Sequence, residues 1–158
     1  MHALRFSWLL LASLSVSSCH DRHAEGSAIA AIPLTIISSG TSSGKPLRFS
    51  VEVARSAEEQ ARGLMFRTSL PPNGGMLFPL NPPREASFWM KNTVIPLDMI
   101  FIRQDGTIAR IAAETVPYSL EFESSGEPVA AVLELAGGRA AALGIAEDDK
   151  VSWNDTQN

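Results

Sequence analysis

Gly and Pro divide residues 32–153 so finely that only short elements fit between them. The chain holds 11 Gly and 10 Pro, and the stretches they leave are mostly β-branched or alternate apolar with polar residues. That is the period of a half-buried strand. Ile32 to Ile37 is β-branched and leads into the Ser/Gly/Thr loop Ser38 to Gly44, and Phe49, Val51 and Val53 alternate with Ser50, Glu52 and Ala54. Ser56 with Glu59 makes a capping box for a short helix that Gly63 ends. Met76 to Leu80, Ser87 to Asn92 and Leu97 to Arg103 are strand candidates, separated by loops containing Pro79, Pro82, Pro83 and Pro96. Asp105-Gly106 between apolar runs predicts a hairpin. Val129 to Leu135 is a further strand, Gly138 to Leu143 a short helix ending at Gly144, and Lys150 to Trp153 a closing strand. The reading is a mainly β domain, a compact barrel or sandwich of seven or eight short strands with two short helices, α+β at the margin.

The one Cys is Cys19, and the three His are His2, His20 and His23, so the candidate domain at 32–153 contains neither residue type. A Ser-His-Asp triad, a Cys-His pair, the usual zinc site and an internal disulfide are thereby excluded from it. His20 and His23 on a polar tail do not make a metal site. Met65, Met76, Met90 and Met99 are thioethers of the kind that select Cu(I), but three of them sit in apolar runs that core packing explains. No metal or cofactor is expected. The formal charge of −4, or −5 once Arg5 leaves with a leader, argues against a nucleic-acid partner.

Met1 to Ser18 reads as an export signal, with Arg5 before an apolar run from Phe6 to Leu14 that is too short to span a bilayer. Val16-Ser17-Ser18-Cys19 resembles the lipobox of bacterial lipoproteins, whose Cys is lipidated and becomes the mature N-terminus. The resemblance implies an exported protein on the periplasmic side of the envelope, held to a membrane through lipidated Cys19. With His20 rather than Asp after the Cys, it implies the outer membrane. The organisation is then signal peptide 1–18, tether 19–31, one β-rich domain 32–153 and tail 154–158; removing 18 of 158 residues leaves 140, an ordinary single domain.

Ala61-Arg62-Gly63-Leu64-Met65-Phe66-Arg67, Gly75-Met76-Leu77-Phe78, the long run from Phe88 through Trp89-Met90-Lys91-Asn92-Thr93-Val94-Ile95-Pro96-Leu97-Asp98 to Ile102, and Val132 to Gly138 together resemble the signature of domain-of-unknown-function family 192. The resemblance spans roughly Phe49 to Trp153 and implies a small β-rich fold and frequent export, without an established activity. One departure is Glu147-Asp148-Asp149-Lys150-Val151, where relatives tend to show Gly-Asp before the last strand.

Alternation through the signature places Phe88, Met90 and Asn92 on one strand face and Trp89, Lys91 and Thr93 on the other, so that the Lys91 stem lies over Trp89. Asp98 shares a face with Ile100 and Ile102, and Glu134 one with Val132 and Ala130; each carboxylate enters apolar surroundings and needs a partner. Arg62 and Arg67 flank a Gly turn and are candidate bidentate partners. Two functions follow. Trp89, Lys91, Asn92, Arg62, Asp98 and Glu134 line a site that binds a small ligand or envelope component, or Asp98 and Glu134 act as acid and base in hydrolysis of an envelope glycan. The first is preferred, because nothing here resembles an activated nucleophile, and the competing structural reading is that these charges tie the Arg62–Arg67 turn to the sheet. Replacing Cys19 by Ser is expected to move the protein from the membrane to the soluble envelope fraction. Fractionation checks this, and two forms that both behave as soluble protein exclude the anchor.

Overall fold

The computed structural model describes residues 29–38 and 45–155, so the leader, Cys19, His20, His23, residues 39–44 and residues 156–158 lie outside the described residues. The β-branched and alternating runs form β1 (Ala31–Ile37) and β2 (Leu47–Val53), an antiparallel pair. In α1 (Ala57–Arg62) the Ser56 hydroxyl accepts from the Glu59 amide and the Glu59 carboxylate accepts from the Ser56 amide, completing the expected capping box, and the helix stops at Gly63. Then come β3 (Gly74–Phe88), β4 (Leu97–Ile102), β5 (Ile108–Thr115), β6 (Glu123–Ala136), α2 (Arg139–Leu143) and β7 (Lys150–Trp153).

The fold is mainly β, as the punctuation predicts, with its seven strands in one sheet of order β5-β4-β6-β3-β2-β1-β7. Neighbours are antiparallel except β2 and β3, which the crossover through α1 makes parallel. The sheet curls into a half-barrel, and its two ends meet at one corner: the Val151 amide donates to the Gly106 carbonyl at 2.8 Å and Thr107 bridges Lys150. The expected Asp105-Gly106 turn shapes that corner, with Gly106 at φ 87 and the Asp105 carboxylate accepting from the Thr107 amide at 2.9 Å. Leu34, Val51, Leu77, Ile100, Leu133 and Val151, drawn from strands at both ends of the sheet, pack together inside the curl. Met76, Phe78, Met99, Phe101 and Val132 belong to a second core on the opposite face, covered by Leu64 and Met90.

Two strand placements need correction. Met76 to Leu80 and Ser87 are parts of one strand, β3, rather than two strands with a loop between them. Pro has no amide hydrogen to give a ladder, so Pro82 and Pro83 interrupt pairing with β6 between Pro79 and Arg84 without ending the strand. The strand stops at Phe88, so Trp89 to Asn92 form a turn with Asn92 at φ 57, and Trp89 and Lys91 do not share a strand face. The departure at 147–151 leaves the last turn intact, because Asp148 adopts φ 67, the left-handed conformation that Gly takes most readily.

Asp98 is fully buried on the inner face, beside Ile100 as alternation requires, but no Arg pairs with it among the described residues. Oδ1 accepts from the amides of Glu114 (2.8 Å) and Gly138 (3.0 Å), and Oδ2 accepts from Ala140 (2.7 Å). One side chain thus fastens β4 to the end of β5 and to the start of α2. Arg67 is committed elsewhere, in a bidentate pair with Glu52 at 2.7 and 2.6 Å, and exposed Arg62 forms no ion pair among the described residues. In Asp98→Asn an amide group replaces one acceptor and faces a buried N–H. The substitution is expected to cost about 2–4 kcal/mol, which urea unfolding measures; a loss under about 0.5 kcal/mol contradicts this role.

Candidate functional site

On the second face of the sheet β6 sits between β3 and β4, with Glu134 opposite Met76 on one side and Met99 on the other. Both thioether side chains are fully buried and neither offers a hydrogen to a carboxylate. Glu134 is only 5% exposed and has no hydrogen-bond partner among the described residues, yet it lines a cleft of about 370 Å³. Burial pushes its pKa up to about 8, so at neutral pH it is mainly the uncharged acid, able to donate one hydrogen bond.

Three segments wall the cleft. The first is α1 with the turn after it. Gly63 (φ 47) lets the Phe78 ring come close, where a Cβ would lie 3.3 Å from Cζ. The Phe66 amide donates to the Asn92 carbonyl at 2.9 Å, and the Arg67–Glu52 pair ties the far end to β2. The second is the irregular half of β3, from Leu80 to Phe88, whose Phe88 ring meets Phe78 edge-on at 5.1 Å. The third is the turn Trp89 to Thr93, where Lys91 Nζ lies 5.0 Å from the centre of the Trp89 ring, the expected pairing reached through a turn instead of a strand. Gln60 closes the seam between helix and strand by donating to the carbonyls of Ala54 (3.2 Å) and Pro79 (3.0 Å).

Arg62, Arg84 and Lys91 all line this cleft, and none makes an ion pair among the described residues. Glu85 also lines it but accepts from the Ser124 hydroxyl at 2.8 Å. In a chain of net charge −4, three uncommitted cations at one opening above a neutral acid make a local positive field.

Of the residues picked out by the sequence, Trp89, Lys91, Arg62 and Glu134 meet in the cleft. Asn92 does not line it; its side chain donates to Met65 Sδ at 3.7 Å and its backbone shapes the turn. Asp98 lies on the other face, because Met99, its neighbour in β4, is what stands opposite Glu134. The acid–base pair of Asp98 and Glu134 is therefore overturned: the sheet itself separates them. Arg84 was missed, because it follows the Pro82-Pro83 break where pairing with β6, lapsed since Pro79, resumes, and that position lines the opening. Among the thioethers, Met76, Met90 and Met99 are buried core, and Met90 accepts from the Thr115 hydroxyl at 3.1 Å.

The comparisons with known proteins agree on kinship. The family model DUF192, described as an uncharacterized ACR, matches residues 39–153. A crystal structure from Sinorhizobium meliloti 1021, of a protein described as a candidate transcription regulator, is 40% identical with a TM-score of 0.75 and covers 80% of this chain and 95% of its own. A protein of unknown function from Novosphingobium aromaticivorans DSM 12444 is 49% identical with a TM-score of 0.73, covering 78% of this chain and 85% of its own. No curated protein matches.

The Glu134 environment sets the sign of a pH effect. The folded state holds the proton up to about pH 8, while an unfolded Glu releases it near pH 4.5. Between these values the unfolded state binds fewer protons, so this group's contribution makes stability fall as pH rises and level off above about 8. Glu134→Gln is expected to flatten that decline and to raise the urea midpoint at pH 8 over that of the parent protein. Parallel midpoint–pH curves for the two forms contradict the assignment.

Proposed function

The chain belongs to the DUF192 family, and from that premise and the cleft we propose that it is a small-ligand-binding module of the cell envelope, tethered to a membrane through lipidated Cys19. The observation that carries the reading is Glu134, a buried acid without a hydrogen-bond partner among the described residues, at the floor of an opening ringed by Arg62, Arg84 and Lys91. A buried polar group normally has its hydrogen bond. Here the missing acceptor is assigned to a ligand. Phe78, Phe88, Leu64 and the face of Trp89 supply apolar contact, so the ligand is a small amphipathic anion, with its charge at the cationic opening and an acceptor atom at the Glu134 hydroxyl.

The glycan-hydrolase reading has lost its acid–base pair to the sheet, and Glu85, the other carboxylate of the cleft, is engaged by Ser124. A regulator working on DNA is not supported either: the described helices have six and five residues, too short for a recognition helix, and the net charge is negative.

Protein purified natively from its envelope is expected to carry a small anion that mass spectrometry detects after denaturation. Glu134→Leu and the Arg62→Ala, Arg84→Ala double variant are expected to lose it while remaining folded. A parent protein that carries nothing, or variants that retain the same molecule, overturn the proposal.

A further inference from the structure

Eight large hydrophobic side chains are exposed among the described residues, and seven of them, all but Ile37, fall on three loops at one edge of the cleft. Phe66, Val116, Tyr118, Leu120 and Phe122 are each at least 60% exposed. Main-chain hydrogen bonds hold the loops together: Phe66 donates to Asn92, Tyr118 to Thr93 and Met90 to Ser119, at 2.9, 3.1 and 3.0 Å. Trp89 and Phe122 stack with ring centres 5.5 Å apart. The apolar tips are thus a connected, braced surface, not scattered side chains.

We infer that this surface is where the protein rests on an anionic lipid bilayer, so that the cleft opens beside the membrane. The cleft's ligand does not enter the argument, which rests on chain reach, charge and side-chain chemistry. Cys19, which the lipobox resemblance makes the anchor, stands ten positions before Ile29, and a span of that length reaches at most roughly 36 Å. Ile29 and Ala31 line a second cleft together with Arg62, Gly63 and Met65, which also line the first. The tether therefore enters the domain on the side that carries the apolar edge. Lys91 lies on one of these loops and Arg62 and Arg84 line the adjoining cleft, all without ion pairs among the described residues, and Glu121 is the one acid between Val116 and Phe122. Trp and Tyr with an apolar body and a polar tip suit the headgroup boundary, and basic side chains suit anionic headgroups. In a two-fold pair made through the same face, the cationic edge of each copy would be brought against that of the other, which disfavours a second copy as the occupant.

The full mature sequence carrying Cys19→Ser tests the surface without any acyl chain. It is expected to sediment with vesicles of phosphatidylglycerol and phosphatidylcholine, less so at high salt, and to ignore pure phosphatidylcholine. Leu120→Ser and Phe122→Ser are each expected to weaken sedimentation roughly tenfold with an unchanged denaturation midpoint, and Glu121→Lys to strengthen it. Absence of binding to anionic vesicles, or binding that the loop substitutions do not change, overturns the inference. So does a dimer in sedimentation velocity that Leu120→Ser dissolves, which would give the face to a second copy. Failure of the anchor itself shows separately, as lipid-independent fractionation of the parent protein in cells, and leaves the vesicle result standing.

Discussion

The Asp98 carboxylate, held by three backbone amides, is the contact on which the rest of the sheet's order depends. It sits where β4 is flanked by β5 and β6, and it takes the amides of Glu114, Gly138 and Ala140. Gly138 begins α2 in a left-handed conformation (φ 78), and the adjacent Gly137 donates to the Pro96 carbonyl at 2.8 Å, just before β4. The end of β6 is thereby locked against the start of β4. With that end locked, Leu135 faces Asp98 and Glu134 faces Met99, and a slip of one residue would put Glu134 in the inner core.

The two buried acids illustrate opposite solutions to one problem. Asp98 accepts three hydrogen bonds from oriented backbone amides. Glu134 receives none from the described residues and stands between two thioethers, so the cheaper course is to keep its proton. A structural carboxylate is expected to look like the first. The second costs stability as pH rises toward 8.

Local chemistry was the most legible part of the chain. The Ser56–Glu59 box, the Asp105-Gly106 turn, the stop at Gly144 and the strand Lys150 to Trp153 each depend on residues within a few positions of one another, and each is found. Alternation also identified Asp98 and Glu134 correctly as acids carried into apolar surroundings. The partners of Asp98 and its separation from Glu134 were not legible, because they follow from β4 lying between β5 and β6, with paired β4 and β6 residues 29 to 39 positions apart. The same holds for Arg67, whose Glu52 partner lies across the crossover. Trp89 and Lys91 were placed on a strand by their alternating pattern, and they still meet, because the turn after Phe88 folds the Lys91 stem back over the ring.

The cleft exists because two neighbours of Glu134 cannot pack as regular elements do. Regular pairing of β3 would continue past Pro79, but Pro82 and Pro83 supply no ladder amides and the register resumes only at Arg84. On the other side α1 is six residues long and none of them is buried, so it roofs the sheet without filling the space beneath it. The turn that follows is pinned at Phe66 and Arg67, which keeps Gly63 and Leu64 over Phe78 while leaving the way to Glu134 open. A longer helix with an apolar stripe, or a β3 without its prolines, would cover Glu134 and close the cleft. The irregular half of β3 and the short helix are therefore the features that leave this buried acid lining a cleft rather than sealed within the core.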